Sequence, residues 1–511
     1  MKKLLSIIMS LLMALTMNAQ TVDGRNFGID GFAAYEGVSG QWYHVGGTTG
    51  GAGGEVVYAS NLSELQAYLQ SSKPYIVLVD KDMNTGITAY VDDLSTGHLC
   101  DKQDGSEGVA TTYGERIMVA DNKTLIGIVN DRGEAPLFSR ITFVMQCTSN
   151  VIIRNCRFTM LGAPIMKGSK ENKIVAWREG AQKEVGDPDC IGIQADAKSA
   201  KTDAGGHIWI DHCEFFNGNT DDVDRYDGLL DCKNNIQWVT ISYNLFHDHF
   251  KACLFGPGNS DSYERKISLH HNYFKDIQGS RLPMQRYGYL HYMNNYMTNA
   301  QDGYDLRAGA IGYIDACYFK DSKAPIRLRG EGTTNINLDK DYSIVSDNCL
   351  RIINNNPNFT YLNISKVDEE YTWTPGGTNA NTWLPTQTWS DYFVNSHDKV
   401  MDVPAICEKY SGAGKIEIWK EYASEVPAYS QTNLQQALDT PRTIASSGNT
   451  YYTYDANGNR MTVAPAPTAI EQLSDTSDQL PVATPKKVVA DGKLVIVKDG
   501  KQFNAAGQLV K

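Results

Sequence analysis

IWIDHCEF at residues 208–215, VTISYNLF at 239–246 and ISLHHNYF at 267–274 can be laid one over another, and the pattern they share decides the fold. The same template fits VIIRNCRF from Val151, LHYMNNYM from Leu290, GYIDACYF from Gly312 and SIVSDNCL from Ser343. From Ile208 onward the units are spaced by 31, 28, 23, 22 and 31 residues, the period of a solenoid. They read as strands and carry no helical period. Each is therefore one coil of an all-β parallel β-helix, stacked about 4.8 Å above the last. Apolar residues at the first, third and eighth positions build the core. The sixth position is Cys156, Cys213, Asn244, Asn272, Asn295, Cys317 and Asn348. It forms a column at a bend, where asparagine amides satisfy one another and the bent backbone.

That column accounts for three of the ten cysteines, which fill it as small apolar side chains. Pairing among the others is not fixed by the sequence. Composition bounds the rest: 511 residues, 41% apolar and 21% charged, suffice for one large core or two ordinary domains and exclude disorder for most of the chain. Lys2, Lys3, the apolar run Leu4–Met17 and Ala19 have the layout of a secretory signal peptide, expected over residues 1–19. The apolar run is too short to span a bilayer, so the expected product is an exported protein without a membrane span, secreted or held at the outer surface. Losing the two lysines takes the formal charge from −12 to −14 (−12 − 2), which repels polyanions and offers nothing to nucleic acid. An anionic substrate has to be held by local cations.

Outside the repeats, LSELQAYL at Leu62–Leu69 has helical spacing behind a capping Asn61, which suits a plug for the open end of the solenoid. The β-helix domain is expected over 20–453, a Pro/Ala/Thr/Ser-rich linker over 454–487, and a separate C-terminal module of short strands with Asp-Gly turns over 488–511.

Chemistry concentrates between residues 187 and 286. Asp187 and Asp189 in GDPDC are two apart and project to one side of an extended chain, roughly 6.6 Å apart at Cα. Asp227 and Asp231 in DGLLD would be about 13 Å apart in a straight strand, so sharing an ion requires a bend, which Gly228 permits. Four carboxylates from neighbouring coils make an oxygen-rich site suited to Ca²⁺; read singly, such pairs are turn residues. Lys251, Arg281 and Arg286 follow in later coils, in a net-acidic chain, and suit capture of carboxylates. The bland alternative is surface ion pairs of little energetic value. His247 and His249 in HDH lack a third nitrogen or sulfur ligand, which leaves packing and hydrogen bonding as their roles.

These motifs resemble those of the pectate lyases of polysaccharide lyase family one. GFAAYEG from Gly31, TTGGAGGEVV from Thr48, KTLIGI from Lys123, WIDH, DGLLD, TISYNLFHDHFK and RLPMQRYG occur in the family's order, covering roughly Gly31–Tyr318. The resemblance implies a right-handed parallel β-helix that cleaves polygalacturonate by Ca²⁺-dependent β-elimination, acting as a monomer. It makes Asp187, Asp189, Asp227 and Asp231 the calcium ligands, Lys251 a substrate-binding residue, Arg281 the catalytic base, and Arg286 a substrate-binding and supporting residue. The family often has glutamate where this chain has Asp227. The C-terminal module resembles the sorting tails of Bacteroidetes-type bacteria. Three rivals stay open at the level of sequence. A pectin lyase would act on methyl-esterified chains and has no need of the acidic cluster. A hydrolase would use paired carboxylates such as Asp221 and Asp222. A pectin-binding protein would not cleave at all.

Overall fold

The computed structural model describes residues 22–35, 47–84, 116–161, 189–195, 205–219, 226–327, 344–349 and 398–418 with their side chains, and further strands by their backbone. Three long sheets dominate, and in each the strands pair almost entirely in parallel. A coil runs from sheet one through sheet two to sheet three, as in Ile191–Gln194, Gly206–Asp211 and Glu214–Phe216, before Leu230–Lys233 begins the next turn.

The register of sheet two matches the sequence template. Val151 pairs with Ile208, Ile208 with Val239, Val239 with Ile267, Ile267 with Leu290, and Leu290 with Gly312. Third-position residues such as Ile210, Ile241 and Leu269 are fully buried. Eighth-position rings stack along the axis, Phe158 on Phe215 at 5.0 Å, Phe215 on Phe246 at 4.9 Å and Phe246 on Phe274 at 5.0 Å. A parallel stack places identical ring types at nearly the strand spacing, which allows offset packing down the core.

The seventh unit departs from the template. Ser343–Asp347 pairs with Tyr318–Lys320 in sheet three, and the sheet-two strand of that coil is Asn335–Leu338, with Ile336 beside Gly312. SIVSDNCL imitates the repeat because its turn also has a residue with positive φ, Asn348 at 51°.

At the bend between sheets two and three the amide column is continuous. Cys213 N donates to Asn244 Oδ1 at 2.8 Å, Asn244 N to Asn272 Oδ1 at 3.0 Å, and Asn272 N to Asn295 Oδ1 at 3.0 Å. Each preceding residue adopts a left-handed φ, from 46° at Ala316 to 58° at Asn155. The conformation turns the chain sharply, and the amide column satisfies the groups it exposes. Cys156, Cys213 and Cys317 fill the column's ends as buried thiols, their ionisation suppressed by burial. All nine cysteines among the described residues are free; Cys100 lies outside them.

Helix α1, Leu62–Gln70, closes the first coil as expected, with Asn61 Oδ1 accepting from Glu64 N at 3.0 Å. Leu65, Tyr68 and Leu69 enter the core from above. Two segments clasp sheet two and its bend from outside. The N-terminal strap follows the hydroxyls of the outer face: Phe32 N donates to Ser268 Oγ, Ala33 N to Thr240 Oγ1 and Gly51 N to Thr124 Oγ1. The second segment, 398–418 with helix α2 at Val403–Tyr410, runs along the bend as a brace. Asn294 binds the Asp398 backbone at both ends, Ser411 Oγ donates to His271 O, and Gly412 N donates to Tyr243 O.

Further along, Thr443–Ser446, Thr450–Tyr454 and Arg460–Pro465 form an antiparallel sheet, so a strand occupies part of the stretch read from composition as linker. Lys486–Ala490, Lys493–Lys498 and Lys501–Phe503 form another, separated in sequence by the two Asp-Gly pairs. No helix among the described residues is long and apolar enough to cross a membrane.

Candidate active site

Alternation along Leu230–Lys233 sends Leu230 and Cys232 into the core and leaves Asp231 and Lys233 on the outer face of sheet one. Asp189 stands just before the preceding strand of that sheet, and Asp227-Gly228 forms the turn that leads into Leu230. The bend demanded by the sequence is present. Asp231 folds back over Gly228, so that a Cβ on Gly228 would lie 2.4 Å from Asp231 Oδ1 and 2.9 Å from Asp189 Oδ1. Gly228 N donates to Asp189 Oδ1 at 2.9 Å, and Leu254 N to Asp231 Oδ1 at 2.9 Å.

Asp189 and Asp231 share one cation, Lys233, whose Nζ lies 2.8 Å and 3.0 Å from them. Burial pushes the Asp189 carboxyl up, and the charge of Asp231 adds to that rise. Burial alone would depress the Lys233 ammonium, but the two carboxylates outweigh it and hold it well above the usual lysine range. Asp227 faces a different pair, with Oδ1 3.5 Å from Lys251 Nζ and 3.4 Å from Arg281 NH1. Burial raises its carboxyl, and Arg281, Lys251 and Lys233 together bring it below the usual carboxylate range.

Of the residues expected from sequence, Asp189, Asp231, Asp227, Lys251 and Arg281 therefore meet in one cluster on and beside sheet one. Asp187, and the hydrolytic pair Asp221 and Asp222, lie outside the described residues. Arg286 is placed differently: it is buried, with Nε donating to Asn259 Oδ1 at 3.2 Å and NH1 to Gly256 O at 3.0 Å, and so fixes the loop after Phe255. Among the described residues no three His, Cys, Asp or Glu side chains close around a common point. The donor chemistry nonetheless fits a hard cation, because the two converging side chains offer only carboxylate oxygens and burial with mutual repulsion makes their joint charge costly.

The histidines of HDH separate. His247 stacks on Phe216 at 5.0 Å and bonds Glu214 and Asp248, whereas His249 turns inward and bonds the Asp227 carbonyl at 2.7 Å. Sequence reasoning passed over Lys233; its position two residues after Asp231, on the same strand face, was the available signal.

A family model described as pectate lyase matches residues 1–366. A pectate trisaccharide-lyase of Bacillus licheniformis is 30% identical over 344 residues, covering 64% of this chain and 82% of its own. Pectate lyase plyB of Emericella nidulans is 28% identical over 279 residues, covering 54% and 66% respectively. The solved structure of pectate lyase II from Xanthomonas campestris shares the right-handed β-helix with a TM-score of 0.50 at 19% identity, covering 76% of this chain and 99% of its own. With the fold, the ordered motifs and these relatives in agreement, the chain belongs to the pectate lyase family and is a polysaccharide lyase.

Proposed function

We propose that the protein is an exported, calcium-dependent pectate lyase that cleaves α-1,4-polygalacturonate by β-elimination to 4,5-unsaturated oligogalacturonides. The observation that carries the reading is Asp227 held between Lys251 and Arg281, beside the buried carboxylates Asp189 and Asp231. Asp189, Asp231 and Asp227, together with Asp187, would hold Ca²⁺, which when bound draws a uronate carboxylate in and offsets the charge that grows on it. The acidic ligands favour this over a pectin lyase acting on methyl esters.

Lys251 binds the substrate carboxylate as a compact charge. Arg281, acting as the neutral guanidine, takes the C5 proton and becomes guanidinium; the electron pair passes into an enolate-like carboxylate, and the C4–O bond breaks with its pair leaving on oxygen, which then takes up a proton. The cationic side chains stabilise that charge most where it is greatest, in the transition state. Arg286 supports the reaction by holding the loop after Phe255, beside the strand that carries Leu254 against Asp231. Export is supported by the N-terminal 1–19 segment, and the division into a domain over 20–453, a linker and a tail over 488–511 remains part of this reading.

Arg281→Lys tests the assignment, since it keeps a cation but removes the base. The variant is expected to keep its circular dichroism spectrum and lose about 10²-fold or more in turnover. Near-wild-type formation of unsaturated product would reject Arg281 as the base.

A further inference from the structure

HDH at residues 247–249 is the motif that the elimination chemistry leaves without a task. Its second histidine is 2% exposed and lies on the sheet-three strand Leu245–Lys251, two residues before Lys251. Asp248 has a left-handed φ of 44°, and the pairing with the next strand shifts register between His249 and Lys251. The two side chains then end on the same residue at different atoms. Lys251 Nζ approaches the carboxylate of Asp227 at 3.5 Å, and His249 Nε2 meets its backbone carbonyl at 2.7 Å. A carbonyl only accepts, so Nε2 carries the proton and the tautomer is fixed.

The rest of the turn is pinned around it. Gly228 N donates to Asp189 Oδ1 at 2.9 Å, and Leu229 N and Leu230 N both donate to Ala252 O. The carbonyl of Asp227 is the side of that peptide nearest its own side chain, and His249 is what holds it. We propose that His249 is a positioning residue that, through its bond to the Asp227 carbonyl, sets the direction in which Asp227 presents its carboxylate to Lys251 and Arg281. This inference rests on the pectate lyase reading of the site.

A histidine that only fills space makes a different demand, which any side chain of its size meets. His249→Leu removes the donor at similar volume, and His249→Gln keeps one. Both are compared with wild type for kcat and KM on polygalacturonate, for unfolding midpoint in denaturant, and for calcium affinity by calorimetry. His249→Leu should lower kcat about 10²-fold, the cost of a misplaced catalytic group, and weaken calcium about 10-fold or more, as loss of an outer-sphere partner does. His249→Gln should recover most of both, with an unfolding midpoint no higher than that of His249→Leu. Equal kinetics and calcium affinity in the two variants, or losses that follow the unfolding midpoint alone, would overturn the inference. Should His249→Leu not fold, His249→Asn takes its place, because the shorter amide cannot span to Asp227; activity there equal to His249→Gln rejects the tether. A wild type that forms no unsaturated product counts against the function itself, whereas an active wild type with an equally active His249→Leu counts against His249 alone.

Discussion

Lys233 is held by two buried carboxylates, 2.8 Å from Asp189 and 3.0 Å from Asp231, and one positive charge cannot balance both. The imbalance has an energetic consequence. Removing one partner of a buried ionic cluster is far costlier than the cluster's own net worth, because the remaining charges stay desolvated. Lys233→Met is expected to destabilise the protein by about 3 kcal/mol in the presence of chelator, read as a lower unfolding temperature, with calcium recovering part of the loss. An unchanged melt in chelator would mean that Asp189 and Asp231 do not depend on Lys233. Most of the site's residue types were legible in the sequence, since alternating acids before a strand and cations after later strands carry their chemistry openly. Lys233 was not singled out because a lysine next to acids reads as an ordinary surface bridge until burial is known. The resemblance implies both a substrate-binding and a supporting role for Arg286, and its bonds to Asn259 and Gly256 tie it to the loop after Phe255.

Two elements decide whether these residues meet. The Asp227-Gly228 turn brings Asp231 back toward Asp189, and its closeness leaves no room for a methyl group. Gly228→Ala should displace one or both carboxylates and reduce turnover about 10²-fold while leaving the circular dichroism spectrum intact; unaltered kinetics would show that the turn yields elsewhere. The brace is the second element. Asp398 accepts from Arg25 at 2.6 Å and 2.9 Å and from His271 at 2.9 Å. Burial raises its carboxyl, but these bonds outweigh it and hold the group below the usual carboxylate range. A depressed carboxyl stabilises the fold fully above the ordinary value and loses that contribution as pH falls below it. Asp398→Asn should therefore cost about 1–3 kcal/mol at neutral pH and show a shallower loss of stability between pH 7 and strong acid than wild type; parallel acid profiles would contradict this. The bend at Gly228 was legible in the sequence, but the packing over it and the brace were not. A glycine in DGLLD signals a bend but not what packs over it, and the brace joins residues more than one hundred positions apart through a segment without the repeat. The repeats were legible because each coil buries the same positions, and the misplaced seventh unit shows the limit: two different bends of one coil can carry similar residues.

At the scale of the molecule, the strap and the brace clasp sheet two and its bend, while the acidic and basic side chains gather on sheet one and the turns beside it. A chain of formal charge −12 has no long-range attraction for a polyuronate. In the proposed reading, binding comes from short-range contacts with Lys251 and Arg281 and from a cation shared with the aspartates. The most direct test is to incubate the protein with de-esterified polygalacturonate at alkaline pH and follow the ultraviolet absorbance of unsaturated uronides, first with calcium and then with excess chelator. A rise in absorbance that calcium supports and chelator abolishes is the predicted result. New reducing ends without that absorbance, or a rise indifferent to chelator, would contradict calcium-dependent elimination at this site.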